Sequence, residues 1–321
     1  MQLLLDEICK RCRHDEKVVL CTVVGSRGST PQEKGAKMLV LADGKTIGTL
    51  GGGCVEAEVR KQALTLLSAD QSRLLEFKLD HDYGWDDGLI CGGIMEIFVQ
   101  VIDRPRSEPF EQIRDALQED RNTQFCINYE MAGAQRRYIE ELGPPPSLII
   151  AGAGHVGHAL AHLANTLDFR VTIIDDRPDY ISADRFPNAT RITGDIEAEL
   201  RKLAIDASTY VVIVTRGHRH DGDSLHAVID SPAKYIGLIG SKSKIKMIFD
   251  NLAAKNVSRE KLLRVHAPIG LEIGAVSVNE IAVSIAAELV ATRRGRENRA
   301  ANPMKIDESQ LAAWLDRSKS Q

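Results

Sequence analysis

Apolar positions are spaced differently in the two halves of the chain. Up to about residue 143 they come as short strand-like runs broken by turns. Val18–Val24, VVLCTVV, predicts a buried strand. KMLVLADGKTIGTL predicts two strands joined at Asp43-Gly44, a strong hairpin signal. From about Val55 the spacing changes to that of a helix, with Val55, Val59, Ala63 and Leu66 on one face. RLLEFKL and GIMEIFVQVI read as strands, PFEQIRDALQED as a helix and TQFCINYE as a strand. This mixture predicts an α+β domain with a largely antiparallel or mixed sheet.

After the prolines of ELGPPPS the order becomes strict alternation. SLIIAG is a strand, and His155 to Leu167 a helix with Val156, Leu160, Leu163 and Leu167 inward. RVTIID is the next strand, TRITGD a short third one, and TYVVIVTR and KYIGLIG each lead into a helical pattern. NEIAVSIAAELVAT closes the set, and a short helix over Glu308–Ser318 ends the chain. Such alternation implies a parallel sheet with helices on both faces. The fold class expected is α/β: an N-terminal α+β domain over 1–143, a stiff proline linker over 144–146, and a Rossmann-like parallel-sheet domain over 147–321.

The 321 residues suit about two domains. A net charge of −4 argues against a nucleic-acid binder. No apolar run approaches the roughly 20 residues of a membrane span, and the charged start, MQLLLDEICKRCRHDEK, is unlike a signal peptide. The expected compartment is the cytoplasm, where the six cysteines are thiols rather than disulfides.

The strongest local motif is IIAGAGHVGHAL. Gly152, Gly154 and Gly157 form G-x-G-x-x-G after a strand and at the start of a helix that opens with His155. The first glycine permits a tight turn, the second lets backbone approach a pyrophosphate, and the third packs helix on strand. Asp175 has the spacing to bind a ribose hydroxyl, with Arg177 clouding a choice between NAD and NADP. TRGHRHDGD and GSKSKIK follow later strands, where open parallel sheets bind ligands. His218, His220 and Asp221 have the chemistry to bind metal, relay protons or hold a ligand; a polar loop is the plain alternative. Ser241, Lys242 and Lys244 either hold an anion or form a solvated helix start.

TLGGGCVEAEV places Cys54 after Gly51, Gly52 and Gly53, at a predicted helix N-terminus, a position that favours thiolate. DDGLICGGIME sets Cys91 against Gly92 and Gly93. Two cysteines in glycine-rich turns suggest thiol chemistry or soft-metal ligation; small buried residues are the alternative. GSRGSTPQEKGAKM surrounds Arg27 and Lys37 with glycines, an anion-binding loop or a hairpin loop. Cys9 and Cys12, with His14 after them, lack the second pair of a zinc site and read as structural. Cys21 and Cys126, inside apolar strands, read as core. His158 and His162, one turn apart, read as a solvated helix face, and Trp85 and Trp314 define no stacking platform.

Taken in order, GSRGSTPQEKGAKMLV, GTLGGGCVEAEV, CGG, AGAGHVG, DDRPDY, TRGHRHD, YIGLIGSKSK and HAPIGLEIGA resemble the XdhC/CoxI family, accessory factors of xanthine dehydrogenase and related molybdenum hydroxylases. The resemblance runs from about Leu20 to Ala291 and extends to the aldehyde oxidoreductase maturation branch. It implies a chaperone rather than a metabolic enzyme, with no catalytic residue singled out, that binds the molybdenum cofactor as molybdopterin or its cytosine dinucleotide form. It also implies protection of the cofactor during sulfuration, a cysteine desulfurase as partner, delivery to an apo molybdenum hydroxylase, and a homodimer. Carried over by motif, Gly51–Cys54 and Cys91–Gly93 form the N-terminal part of the site, with Cys54 and Cys91 as candidate metal ligands. Gly152, Gly154, Gly157 and Asp175 form the Rossmann part. The expected ligand set is Arg27, Lys37, Gly52, Gly53, Cys54, Cys91, Gly92, Gly152, Gly154, His155, Gly157, Asp175, His218, His220, Ser241 and Lys242. The competing readings are an NAD(P)-dependent oxidoreductase with His218 or His220 as proton donor, and a nucleotide-binding sensor.

Overall fold

The computed structural model describes residues 1–79, 92–296, 306 and 308–317, without the side chains of 218, 219, 316 and 317. The chain forms two compact units, Met1–Pro144 and Pro145–Gln321.

The first unit is built on β1 (Val18–Arg27), in the middle of a five-stranded antiparallel sheet with β2 (Lys37–Leu41), β3 (Thr46–Gly48), β4 (Arg73–Lys78) and β5 (Ile94–Ile102). The order is β3-β2-β1-β5-β4. Val18–Val24 are all buried because both faces are covered. Val18 and Leu20 face a core shared with α1 (Gln2–Arg13), α3 (Glu108–Gln118) and the hairpin β6 (Thr123–Met131)–β7 (Ala134–Leu142). Val19, Cys21 and Val23, offset by one residue, face α2 (Gly53–Ala69) through Val55, Val59, Ala63 and Leu66, the predicted stripe. This is the period-2 alternation of a strand, hidden in the sequence because both sides are apolar.

Of the described cysteines, Cys9, Cys12 and Cys21 are buried, and burial pushes Cys12 up to about 11 and Cys21 up to about 12. They are packing residues. Cys126 corrects its expectation: Phe125 and Ile127 take the inward side of β6 and leave Cys126 exposed.

The second unit is a five-stranded parallel sheet of β8 (Ser147–Ala151), β9 (Arg170–Asp175), β10 (Ala189–Thr193), β11 (Tyr210–Ile213) and β12 (Tyr235–Leu238). Its order, β10-β9-β8-β11-β12, puts the first strand in the centre with the chain reversing direction on either side of it. Ile150 and Leu148 point toward α4 (His155–Thr166) and α9 (Val278–Arg293). Ile149 and Ala151 point toward α5 (Ile196–Lys202), α6 (His218–Val228), α7 (Lys242–Ala254), α8 (Arg259–Leu263) and α10 (Glu308–Arg317). Helices on both faces follow from right-handed crossovers between parallel strands. On α4, Leu160 is fully buried, while Val156, Leu163 and, just past its end, Leu167 pack at the margin of the core. Among the described residues no helix is long and apolar enough to cross a membrane.

The sheet's centre sets the height of everything at its carboxyl edge. Ile150→Ala on β8, where the side chain is fully buried, will lower stability by about 2–5 kcal/mol in urea unfolding.

Candidate functional site

In the first unit two glycine-rich segments, around Gly51 and around Gly92–Gly93, close on one loop, residues 28–32. Gly92 forms a single parallel bridge with Ser29. Gly93 lies so close that a Cβ there would stand 2.2 Å from the Ser29 carbonyl oxygen. A Cβ on Gly51 would stand 2.4 Å from Pro31 Cβ. These glycines are contact points between backbones, which explains the clustering of the motifs. Gly52 and Gly53, also at positive φ, differ from Gly51 and Gly93 in that a Cβ on either would meet nothing within 4 Å.

The turn is held by Glu56, a residue that no sequence motif singles out. Its Oε1 accepts from Thr49 Oγ1 at 2.5 Å, Leu50 N at 2.7 Å and Gly52 N at 2.9 Å. Burial alone would raise this carboxyl. The hydrogen bonds from Thr49 and the loop amides outweigh it and keep Glu56 below the usual carboxylate range. The available signal was an acid in the first turn of a helix that starts on glycines. Cys54, the second residue of α2, is thereby fixed in place. It is half-buried and lines an open groove of about 830 Å³ between α2 and the edge strand β4, with Ala57, Lys61, Arg73, Leu75 and Phe77. Cys91 and Trp85 lie outside the described residues.

The two cations expected at an anion site are placed otherwise. Lys37 is buried; its Nζ pairs with Glu140, donates to the Gly35 carbonyl at 3.0 Å and sits 5.1 Å from the centre of the Phe125 ring. Its charge is thereby paired within the chain, on the hairpin β6–β7. Arg27 is exposed but donates to Glu96 at 3.0 Å.

In the second unit the glycine loop divides its tasks as the fingerprint requires. A Cβ on Gly152 would stand 2.5 Å from the Val214 carbonyl oxygen, and one on Gly157 would stand 1.9 Å from that of Gly152. A Cβ on Gly154 would meet nothing within 4 Å. Two glycines serve packing, and the middle one faces open space beside exposed His155 at the start of α4.

Asp175 is already engaged within the chain. It is buried, and its carboxylate takes four hydrogen bonds: Ala153 N at 2.7 Å, Arg177 N at 3.0 Å, Arg177 Nε at 2.8 Å and Arg177 Nη2 at 2.9 Å. Burial pushes the carboxyl up, but the Arg177 guanidinium and the two amides hold it at about 2. A carboxylate has about four acceptor sites, so this one has none left for a ribose. Arg185, unforeseen from sequence, bonds the Ala153 carbonyl at 3.0 Å and steadies the loop from the other side.

The later strand ends also turn inward. His220 is exposed in the first turn of α6, the helix into which the strand was expected to lead, and the His218 side chain is outside the described set. Asp221 is fully buried, accepts from Thr215 N at 3.1 Å and Oγ1 at 2.5 Å, and pairs with Lys244. Burial keeps its carboxyl above the usual range despite those partners. Ser241 caps α7 by accepting from Lys244 N at 3.3 Å, and Lys242 is the exposed first residue of that helix. Among the described residues no three metal-ligating side chains come together.

A parallel sheet with its first strand central, helices on both faces and this glycine loop define a Rossmann domain, here preceded by an antiparallel α+β domain. The profile of the XdhC Rossmann domain matches residues 148–289, and that of the XdhC and CoxI family matches residues 12–78. The chain belongs to the XdhC and CoxI family. It is 29% identical over 317 residues to a probable xanthine dehydrogenase subunit from Bacillus subtilis, covering 87% of this chain and 94% of that one. It is 24% identical over 292 residues to the molybdenum cofactor insertion chaperone PaoD of Escherichia coli, covering 87% and 84%. A third relative, the uncharacterized protein YqeB of Escherichia coli, is 30% identical over 276 residues, covering 85% of this chain; the chain spans only 43% of that protein's length. The crystal structure of a xanthine dehydrogenase from Bacillus halodurans shares the fold, with a TM-score of 0.81, 24% identity and coverage of 94% and 98%.

The Asp175 cluster makes stability pH-dependent in a stated direction. A carboxyl held at about 2 in the folded chain, against roughly 3.9 unfolded, stabilises fully above the unfolded value. That contribution is lost as pH falls from about 4 toward 2. Urea unfolding from pH 7 to pH 3 will show Asp175→Asn less stable by roughly 2 kcal/mol at pH 7, with the gap to the parent narrowing at the acid end.

Proposed function

We propose that this chain is an accessory protein of molybdenum hydroxylases. It binds the molybdenum cofactor, as molybdopterin or its cytosine dinucleotide form, supports its sulfuration with a cysteine desulfurase, and delivers it to an apo-enzyme. Family membership supports this reading, as do relatives named for xanthine dehydrogenase and for molybdenum cofactor insertion.

The observation that carries it is the setting of Cys54. A half-buried thiol stands at the start of α2, on a turn locked by Glu56, and opens onto a groove of about 830 Å³. The cofactor, when bound, supplies a molybdenum centre that accepts sulfur ligands. The chain's part is to present one. Cys54 is the described thiol placed to do so, since Cys9, Cys12 and Cys21 are buried and Cys126 is on the exposed side of β6. Gly52 and Gly53 keep the approach free of side chains. The open Gly154 amide region suits a phosphate or pyrophosphate, the anionic end of the same class of molecule. An NAD-dependent oxidoreductase would need Asp175 for the ribose, and that carboxylate is fully engaged.

The test is retention of cofactor by protein purified from a host that makes it, with molybdenum measured by elemental analysis and pterin by fluorescence after oxidation. Cys54→Ala will retain at least fivefold less of both than the parent. Cys126→Ala, which removes an exposed thiol elsewhere, will retain the parental amount. Equal retention in parent and Cys54→Ala would remove the thiol from the account.

A further inference from the structure

The carboxyl edge of the parallel sheet carries an ion pair that neither the family assignment nor the cofactor reading uses. β8, which leads into the glycine loop, lies between β9 and β11. Strands in a sheet are about 4.8 Å apart, so β9 and β11 are separated by roughly 10 Å with the loop rising in the gap. Arg216 follows β11 and Asp176 follows β9. Arg216 Nη2 donates to Asp176 Oδ2 at 2.8 Å. The side chains therefore reach across the end of β8. The backbone beside Arg216 is tight against the loop, since a Cβ on Gly152 would stand 3.0 Å from Thr215 Cα. Arg177, clamped on Asp175, lies with its guanidinium 3.6 Å from the centre of the Tyr180 ring, which fixes the β9 side of the crossing.

In a Rossmann domain the pyrophosphate sits on the glycine loop, and the adenosine ribose runs to the acid at the end of the second strand. That path leads to Asp175, whose acceptor sites are filled, and the next residue, Asp176, is the acid of the bridge to Arg216. The phosphate end of the site, at Gly154, stays open. We infer that the Arg216–Asp176 pair is a latch over the nucleoside subsite, so that this domain takes a phosphate or pyrophosphate ligand by its anionic group alone and discriminates against adenine dinucleotides. Both side chains are partly exposed, at 58% and 33%, so the latch is a modest barrier.

The inference does not depend on what Cys54 binds, and its failure would leave the cofactor reading untouched. It is tested on the full chain by calorimetric titration with NAD+, NADP+ and inorganic pyrophosphate, using the parent, Arg216→Ala and Asp176→Asn. Both substitutions open the bridge from opposite ends, and circular dichroism melts will confirm that both fold. Both variants will bind NAD+ two- to fivefold more tightly than the parent, the upper figure being about 1 kcal/mol. Pyrophosphate affinity will stay within twofold for Asp176→Asn and for Arg216→Ala. Appearance of NAD+ binding in the variants where the parent shows none also supports the latch. Opposite effects of the two substitutions on either dinucleotide would show Arg216 to be a ligand contact and overturn the inference. No change in NAD+ binding, or no NAD+ binding by any of the three proteins, would overturn it equally.

Discussion

Glycine-rich turns expose backbone amides, and an amide with no acceptor is costly wherever water is excluded. Both turns that matter in this protein meet that demand with a carboxylate from their own chain. Glu56 gathers the amides of Leu50 and Gly52 with the Thr49 hydroxyl onto one oxygen. Asp175 takes the Ala153 amide on the oxygen that also receives Arg177 Nη2. The position of Cys54 in one unit and the openness of Gly154 in the other follow from these two arrangements. A loop already ordered loses little entropy when a ligand docks.

The remaining charges at these sites are largely paired within the chain. Lys37 serves Glu140, Arg27 serves Glu96, Arg216 serves Asp176 and Lys244 serves Asp221. At the Cys54 groove Lys61 and Arg73 are cations that line the opening, so recognition there has backbone amides, a thiol and positive charge to work with.

The element types were legible in the sequence wherever apolar spacing carried them. The α2 stripe of Val55, Val59, Ala63 and Leu66 emerged as read, as did the Asp43-Gly44 hairpin and the alternating strands and helices after residue 147. β7 escaped because Tyr138 is its one buried residue and the rest reads as a charged run. Cys126 was misplaced because strand parity decides which face a residue takes, and an apolar context does not reveal parity. At the site, residue types told where chemistry gathers without telling which partner each charge would choose. Asp175 has ribose-binding spacing, yet Arg177 two residues on claims it. Lys37 sits in a glycine-rich motif, yet its partner, Glu140, is more than a hundred residues away in sequence.

The claim on which the account turns is that the glycine loops are ordered by internal carboxylates before any guest arrives. Residue-resolved amide hydrogen exchange on ligand-free protein at neutral pH measures this directly. The amides of Leu50, Gly52 and Ala153 are expected to exchange at least about tenfold more slowly than in an unstructured chain. Exchange of all three at free-peptide rates, slowing only when pyrophosphate or cofactor is added, would contradict it.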